Sequence, residues 1–411
     1  MREIMIDKDL IYDWNQKYPQ KFPSVELCDE TLRDGIQSPS VRDPHISDKR
    51  ELLELMNNLH ITVANIGLPG AGPRAYNDVL ALANYAQKQR LNIEVICAAR
   101  TLRADIEPIA RIQELSGRPI SAYCFLGTSP IRQMVEDWSI ERLKKTTDEA
   151  LSFALKENLD VAFVTEDTTR SSPEVLKELF SHALNLGVKR LVLCDTVGHA
   201  TPDGIAALIA FTQELIKQSG QRVFIDWHGH NDRGLALSNA LWAAYHGCDR
   251  IHGTAFGIGE RVGNTSLDQL LVNLKLLGGF DHDLSNLSIY LEKAAQACAL
   301  ELPANYPVFG HDAFRTATGV HAAAVIKALA RNNKVLANII YSGVPAHWFG
   351  KNQIIDIGPM SGASNVRYWL AKNNIDASES LVKALLNFAK SQDQVLSCEQ
   401  IREFVKTHCQ A

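Results

Sequence analysis

Short apolar, β-branched runs alternate with longer stretches of helical periodicity along the first two thirds of the chain. The runs are Val25–Cys28, Thr62–Ile66, Ile93–Ala98, Ile120–Phe125, Val161–Thr165, Leu191–Cys194, Val223–Trp227 and Arg250–His252. All eight begin between residues 25 and 250, about 32 residues apart, the length of one strand-plus-helix unit. Helical spacing fills the intervals. Lys49–Met56 has it, as does Glu174–Phe180, where Pro173 suits a first helical position. Leu267–Leu277 is a third such stretch. Eight units of this kind predict an α/β fold, a (β/α)8 barrel of the TIM type. A doubly wound open sheet competes with it, but no GxGxxG follows the first strand.

The texture changes near residue 284. Leu284–Leu300 reads as an amphipathic helix. A proline-rich hinge (Pro303, Pro307), a Gly/Ala-rich stretch to Ala330 and two further helical runs follow. The predicted division is an N-terminal arm over 1–22, a barrel over 23–283 and a smaller, mostly helical extension over 284–411. Trp14, Tyr18 and Phe22 give the arm apolar anchors for the barrel floor or a partner subunit.

Composition narrows the class without naming a chemistry. Hydrophobic residues at 46% and charged residues at 22% argue against long disorder. Basic and acidic side chains, 42 against 47, leave a net charge of −5 and no global pull toward nucleic acid. No apolar run reaches the ~20 residues that span a bilayer, and the charged start Met1–Lys8 does not resemble a signal peptide. The eight cysteines form no CxxC pair, and several lie in apolar runs. They read as reduced, buried thiols of a cytoplasmic enzyme.

Three clusters carry candidate chemistry. His228 and His230 stand at i and i+2 of an extended segment, so they project together from the C-terminal end of the seventh strand. Active sites of such barrels are built at that end. Two imidazoles and a carboxylate make a divalent-metal platform with open positions. A pair of histidines held by backbone is the plainer reading. The first strand runs into Asp29–Gln37, which brings Arg33, Asp34 and a glycine turn to the same mouth. Gly257–Thr265 holds three glycines after the eighth strand, suited to close backbone approach to a ligand or to a tight turn.

Taken together, Thr31–Gly35, the His228-x-His230-Asn231-Asp232 run and Gly259–Asn264 resemble the signatures of the acyl-CoA Claisen-condensing TIM-barrel enzymes, the DRE-TIM metallolyases. That family includes 2-isopropylmalate, homocitrate and citramalate synthases and hydroxymethylglutaryl-CoA lyase. Phe125–Pro130, Glu166–Ser171, Asp195–Pro202, Thr318–His321 and Ile357–Gly362 continue the likeness in family order, from about residue 25 to 370. The resemblance implies Asp34, His228 and His230 as metal ligands, with Asn264 beside them or ligating. The metal would be Mg2+, Mn2+, Zn2+ or Co2+, and acetyl-CoA the co-substrate. Arg33 would face the ketone oxygen where charge develops. Thr196 and Arg170 would hold the acceptor, with Gln37 and Asn65 at the same site; Arg170 could equally form only a pair with Glu166 or Asp167. His321 and Tyr341, on the extension acting as a lid, would manage protons. The family's usual assembly implies a homodimer with the lid reaching across the interface, and no membrane or nucleic-acid partner.

Within the family, the aspartate of Arg33-Asp34-Gly35 and the run Leu267–Leu274 resemble 2-isopropylmalate synthase. The implied reaction is condensation of acetyl-CoA with 2-ketoisovalerate, a step of leucine biosynthesis. Three positions depart from the pattern. Asn65 stands where a glutamate is usual, Tyr123 where a histidine is common, and Arg132 where the isopropylmalate type often has histidine. Arg132 would suit a more acidic acceptor such as 2-oxoglutarate. Homocitrate and citramalate synthases, the latter acting on pyruvate, are therefore the alternatives. Cleavage in the lyase manner lacks its cysteine-bearing loop, and Asn65 keeps open a weakly catalytic regulatory paralogue. With 41 residues after position 370, no C-terminal regulatory domain is expected.

Overall fold

Eight parallel strands close into a barrel in chain order. They are β1 (Glu26–Asp29), β2 (Val63–Asn65), β3 (Glu94–Arg100), β4 (Ile120–Gly127), β5 (Asp160–Glu166), β6 (Arg190–Asp195), β7 (Phe224–Gly229) and β8 (Arg250–Gly253). Closure is made by β1 against β8, with Glu26 opposite Arg250 and Asp29 opposite Gly253. In this computed structural model residues 11, 12, 14 and 22–409 are described. Each of the eight predicted runs coincides with a strand, so the (β/α)8 expectation holds.

Helices follow the strands. The first is α1 (Ile46–Asn58), then α2 (Pro73–Gln89), α3 (Arg103–Ser116), α4 (Pro130–Glu136), α5 (Ile140–Lys156), α6 (Pro173–Asn185), α7 (Pro202–Ser219), α8 (Ala236–Tyr245), α9 (Leu267–Leu276) and α10 (Leu287–Cys298). Their starts follow local chemistry. Ser129, Ser172 and Thr201 accept from a backbone N–H of the first turn, and proline follows each of them. Gly117 and Gly220 close α3 and α7 in the left-handed region. Apolar faces such as Leu52, Leu53 and Met56 of α1 are fully buried. The barrel interior combines an apolar set (Cys28, Val63, Ile96, Tyr123, Ala162, Val192, Cys194) with buried charges.

The chain divides into two compact units, Tyr18–Glu301 and a second containing Leu302–Ala411. The first includes α10, whose Tyr290 donates to Asp29 of β1. The second holds α11 (Gly319–Ala330), α12 (Lys334–Ile339), α13 (Ala363–Lys372), α14 (Glu379–Lys390) and α15 (Cys398–Cys409). The Gly/Ala-rich stretch is the helix α11, its face of Ala322, Val325 and Ala328 buried. A parallel ladder of two residues per strand, β9 (Arg315–Thr316) with β10 (Ile354–Ile355), escaped prediction because it is too short for any periodicity. Of the arm's anchors, Tyr18 lies outside the described residues. Trp14 is exposed, and Phe22 is buried beside Tyr245. Among the described residues no helix is long and apolar enough to cross a membrane.

Candidate active site

Alternation along β7 sets the site. Asp226, His228 and His230 stand at successive i+2 positions and all are buried. His230 lies just past the strand and bridges to Asn264 on the glycine loop. From β1 the chain enters a tight turn, in which the N–H groups of Arg33 and Gly35 both donate to the Glu30 carbonyl. That turn points Asp34 at the histidines. Its Oδ2 lies 3.1 Å from His228 Nε2 and 3.7 Å from His230 Nε2, and the two Nε2 atoms are 3.3 Å apart.

These three atoms form a compact triangle. A point about 2 Å from all three exists, matching metal–nitrogen and metal–oxygen bonds of about 2.0–2.2 Å. Asp34, His228 and His230 therefore fit a divalent cation by both geometry and donor type. Asn264 adds a buried Oδ1 without a hydrogen-bond partner, while its Nδ2 donates to Ile258 O at 3.0 Å. An unpaired buried acceptor costs free energy unless something fills it.

Charge is organised around the triangle. Burial alone would raise the Asp34 carboxyl, but Arg33, His228 and His230 outweigh it and hold it far below the usual range. Burial lowers His230 to about 4, with His228 adding to the effect, so the neutral imidazole a metal requires is the resting form. Burial works against the Arg33 charge, yet Glu30 and Asp34 keep its guanidinium firmly protonated.

The glycine loop serves its own closure. Gly257 and Gly263 both have positive φ, at 69° and 90°, and a Cβ on Gly263 would collide with the Gly257 carbonyl. The tight fold carries Asn264 to the mouth, its N–H donating to Gly257 O at 2.8 Å. Arg261 then ties the loop to the turn after β7 by pairing with Asp232 at 2.8 and 3.0 Å.

A cavity of about 360 Å3 opens over the triangle. Arg33, Asp34, Gln37, Asn65, Thr196, His228 and His230, all singled out from the sequence, line it together with Arg132. Thr196 Oγ1 accepts from the Asp167 N–H at 2.8 Å, leaving its own proton free to donate. Arg170 is absent from the lining. Its Nε and Nη2 contact both oxygens of Asp167 at 2.8–3.1 Å. His321 and Tyr341 belong to the second unit, where their rings stack with centroids 4.1 Å apart.

Sequence reading passed over three buried groups: Glu30 and His252, which also line the cavity, and Asp226 beneath them. The signal was present. The i+2 rule that selected His228 and His230 extends back to Asp226, and Arg250 and His252 repeat it on β8.

The residues 24–295 match the HMGL-like family model. The chain is 30% identical to homocitrate synthase AksA of Methanothermobacter thermautotrophicus, covering 89% of this chain and 88% of that one. It is 28% identical to 2-isopropylmalate synthase of Halothermothrix orenii, over 90% and 70% respectively. Hydroxymethylglutaryl-CoA lyase of Pseudomonas aeruginosa shares the fold, with a TM-score of 0.54 at 18% identity over 68% of this chain and 93% of that one. With the family model covering 24–295 of its 411 residues, the chain belongs to the HMGL-like family.

Proposed function

We propose that the protein is a divalent-metal-dependent acyltransferase that condenses acetyl-CoA with a 2-keto acid, 2-ketoisovalerate giving 2-isopropylmalate. The observation that carries this reading is the convergence of Asp34, His228 and His230 beside Arg33 on the floor of one cavity. Relatives named homocitrate and 2-isopropylmalate synthases support the reaction class. The choice of acceptor rests on Asp34 and on Leu267–Leu274.

Asp34, His228, His230 and Asn264 would hold the cation. When bound, it would polarise the ketone and share the acceptor's charge. Arg33, charged at every working pH, stands where the keto oxygen becomes an alkoxide. The Thr196 hydroxyl donates to the acceptor's carboxylate, with Gln37 and Asn65 closing the same wall. A proton leaves the thioester methyl, the enolate carbon attacks the keto carbon, and water then cleaves the thioester to release CoA. His321 and Tyr341 manage those protons from the second unit, as a lid over the barrel of a partner subunit in a cytoplasmic homodimer.

A second reading, condensation with 2-oxoglutarate, is favoured by Arg132 in the cavity wall. Purified protein with Mg2+ or Mn2+ and acetyl-CoA is offered 2-ketoisovalerate, pyruvate, 2-oxoglutarate and oxaloacetate while free CoA is followed. Release with 2-ketoisovalerate is expected. Release with 2-oxoglutarate alone replaces the acceptor, and no release with any of them sinks the synthase reading.

A further inference from the structure

We propose that Glu30 and His252 are positioning residues for Arg33, the upper members of an ionic ladder that runs from the cavity into the barrel. The proposal rests on the reading above, in which Arg33 faces the reacting carbonyl. Arg33 Nε and Nη2 lie 2.8 and 2.6 Å from Glu30 Oε2. The same oxygen accepts from Asn65 Nδ2 at 3.0 Å. Glu30 Oε1 lies 3.1 Å from His252 Nδ1, a contact of opposite charges without the alignment of a hydrogen bond. His252 Nε2 is 3.2 Å from Asp226 Oδ2. Asp226 in turn pairs with Arg190 and accepts from Tyr123 at 2.9 Å. Arg250, 3.9 Å from Asp226, ends the ladder on Glu26 and Glu94 at 2.8 and 2.7 Å.

The signs alternate from the mouth inward, and Glu30, His252 and Asp226 are at most 2% exposed. Stability alone does not require this arrangement, since apolar side chains of similar volume fill a core as well or better. What a ladder adds is fixed direction. Arg33 is held along one edge by a carboxylate that is itself held from two further sides. The guanidinium therefore meets developing charge without having to reorganise, which is the condition for electrostatic catalysis. Asn65 completes the cradle as a neutral donor, and a carboxylate there would face Glu30 across 3.0 Å.

Exchange across that hydrogen bond tests the idea. E30Q keeps the shape and removes the charge; E30Q/N65E returns a carboxylate from the neighbouring strand. E30Q is expected to lower kcat about 100-fold, with acceptor KM and Mn2+ affinity within about threefold of wild type. The double variant is expected to regain at least about tenfold in kcat, and His252→Gln to lose about tenfold. An E30Q kcat within threefold of wild type, or a folded double variant no faster than E30Q, overturns the role of Glu30. An unchanged kcat in His252→Gln removes that residue from it. Crystal structures of wild type and E30Q give a reading independent of turnover: a displaced Arg33 guanidinium supports the proposal and an unmoved one overturns it. Should wild type release no CoA with any acceptor, the synthase reading fails alone, and the position of Arg33 still decides this one.

Discussion

Two buried polar assemblies sit within one barrel, and they are built on opposite plans. At the mouth, Asp34, His228 and His230 point three ligand atoms at one another across 3.1–3.7 Å, and Asn264 Oδ1 has no partner. Beside it and running inward, Glu30, His252 and Asp226 each lie between groups of opposite charge or hydrogen-bond donors. The mouth is left incomplete, as a place that receives a ligand must be. The interior sets its charges against one another, as a support must, even where Glu30 and His252 reach the cavity. Distance from solvent does not separate them, because both are almost wholly buried.

The comparison breaks most decisively at the mouth. His228→Ala is expected to cut metal-dependent turnover by roughly a thousandfold or more, while the melting temperature changes little in metal-free buffer. Turnover with added Mn2+ followed beside a thermal melt checks both halves. Retained turnover would remove His228 from the ligand set. Asp226→Asn should do the reverse in kind. It leaves His252, Arg190 and Arg250 short of a carboxylate, and the expected loss is about 3–5 kcal/mol of folding stability, read by urea unfolding. A variant as stable as wild type would mean that the interior charges do not support one another.

A fourth buried carboxyl sharpens the contrast because it titrates in reach. Burial pushes Asp29 up to about 6, against hydrogen bonds from Thr31 and Tyr290. Glu30, the adjacent residue, goes the other way: burial would raise it, but Arg33 and His252 outweigh that and hold it at about 2. A carboxyl with a raised folded pKa binds its proton more tightly in the fold. Its contribution to stability therefore falls as pH rises from about 4 through 6. Asp29→Asn should remove that slope and gain up to about 3 kcal/mol over wild type at pH 7.5, less at pH 5. Parallel stability profiles from pH 4.5 to 7.5 would refute the assignment.

How much of this was legible in the sequence follows the same division. The eight strands announced themselves as apolar runs, because strands buried on both faces carry no polar alternation. Asp34, His228 and His230 were legible because the i+2 rule and the barrel mouth confined them to one place. Glu30, His252 and Asp226 carried part of the same signal, but their pairing joins the ends of β1, β7 and β8, which no local pattern brings together. Arg250 and Glu26 are 224 positions apart and meet only when β8 closes on β1. Asn65 was visible as a departure from the family pattern. Its partner, the Glu30 carboxylate just past the neighbouring strand, was not.

Arg170 is the smallest and most pointed test, because it stands at the mouth yet follows the plan of the interior. The family resemblance gives it to the acceptor, whereas its guanidinium is bound along one side to Asp167 through three contacts of 2.8–3.1 Å. Asp167 is not idle either, since its backbone N–H donates to Thr196 at the cavity wall. The Arg170 side chain is 30% exposed, so its pairing is worth no more than about 1 kcal/mol. Arg170→Ala should therefore raise the acceptor's KM less than about threefold and leave kcat nearly unchanged, through a small shift of Thr196. A rise in KM beyond tenfold at constant kcat would mean that Arg170 leaves Asp167 to grip the substrate. An arginine at the mouth would then be a ligand held in reserve, and the line between open site and closed support would run through a single side chain.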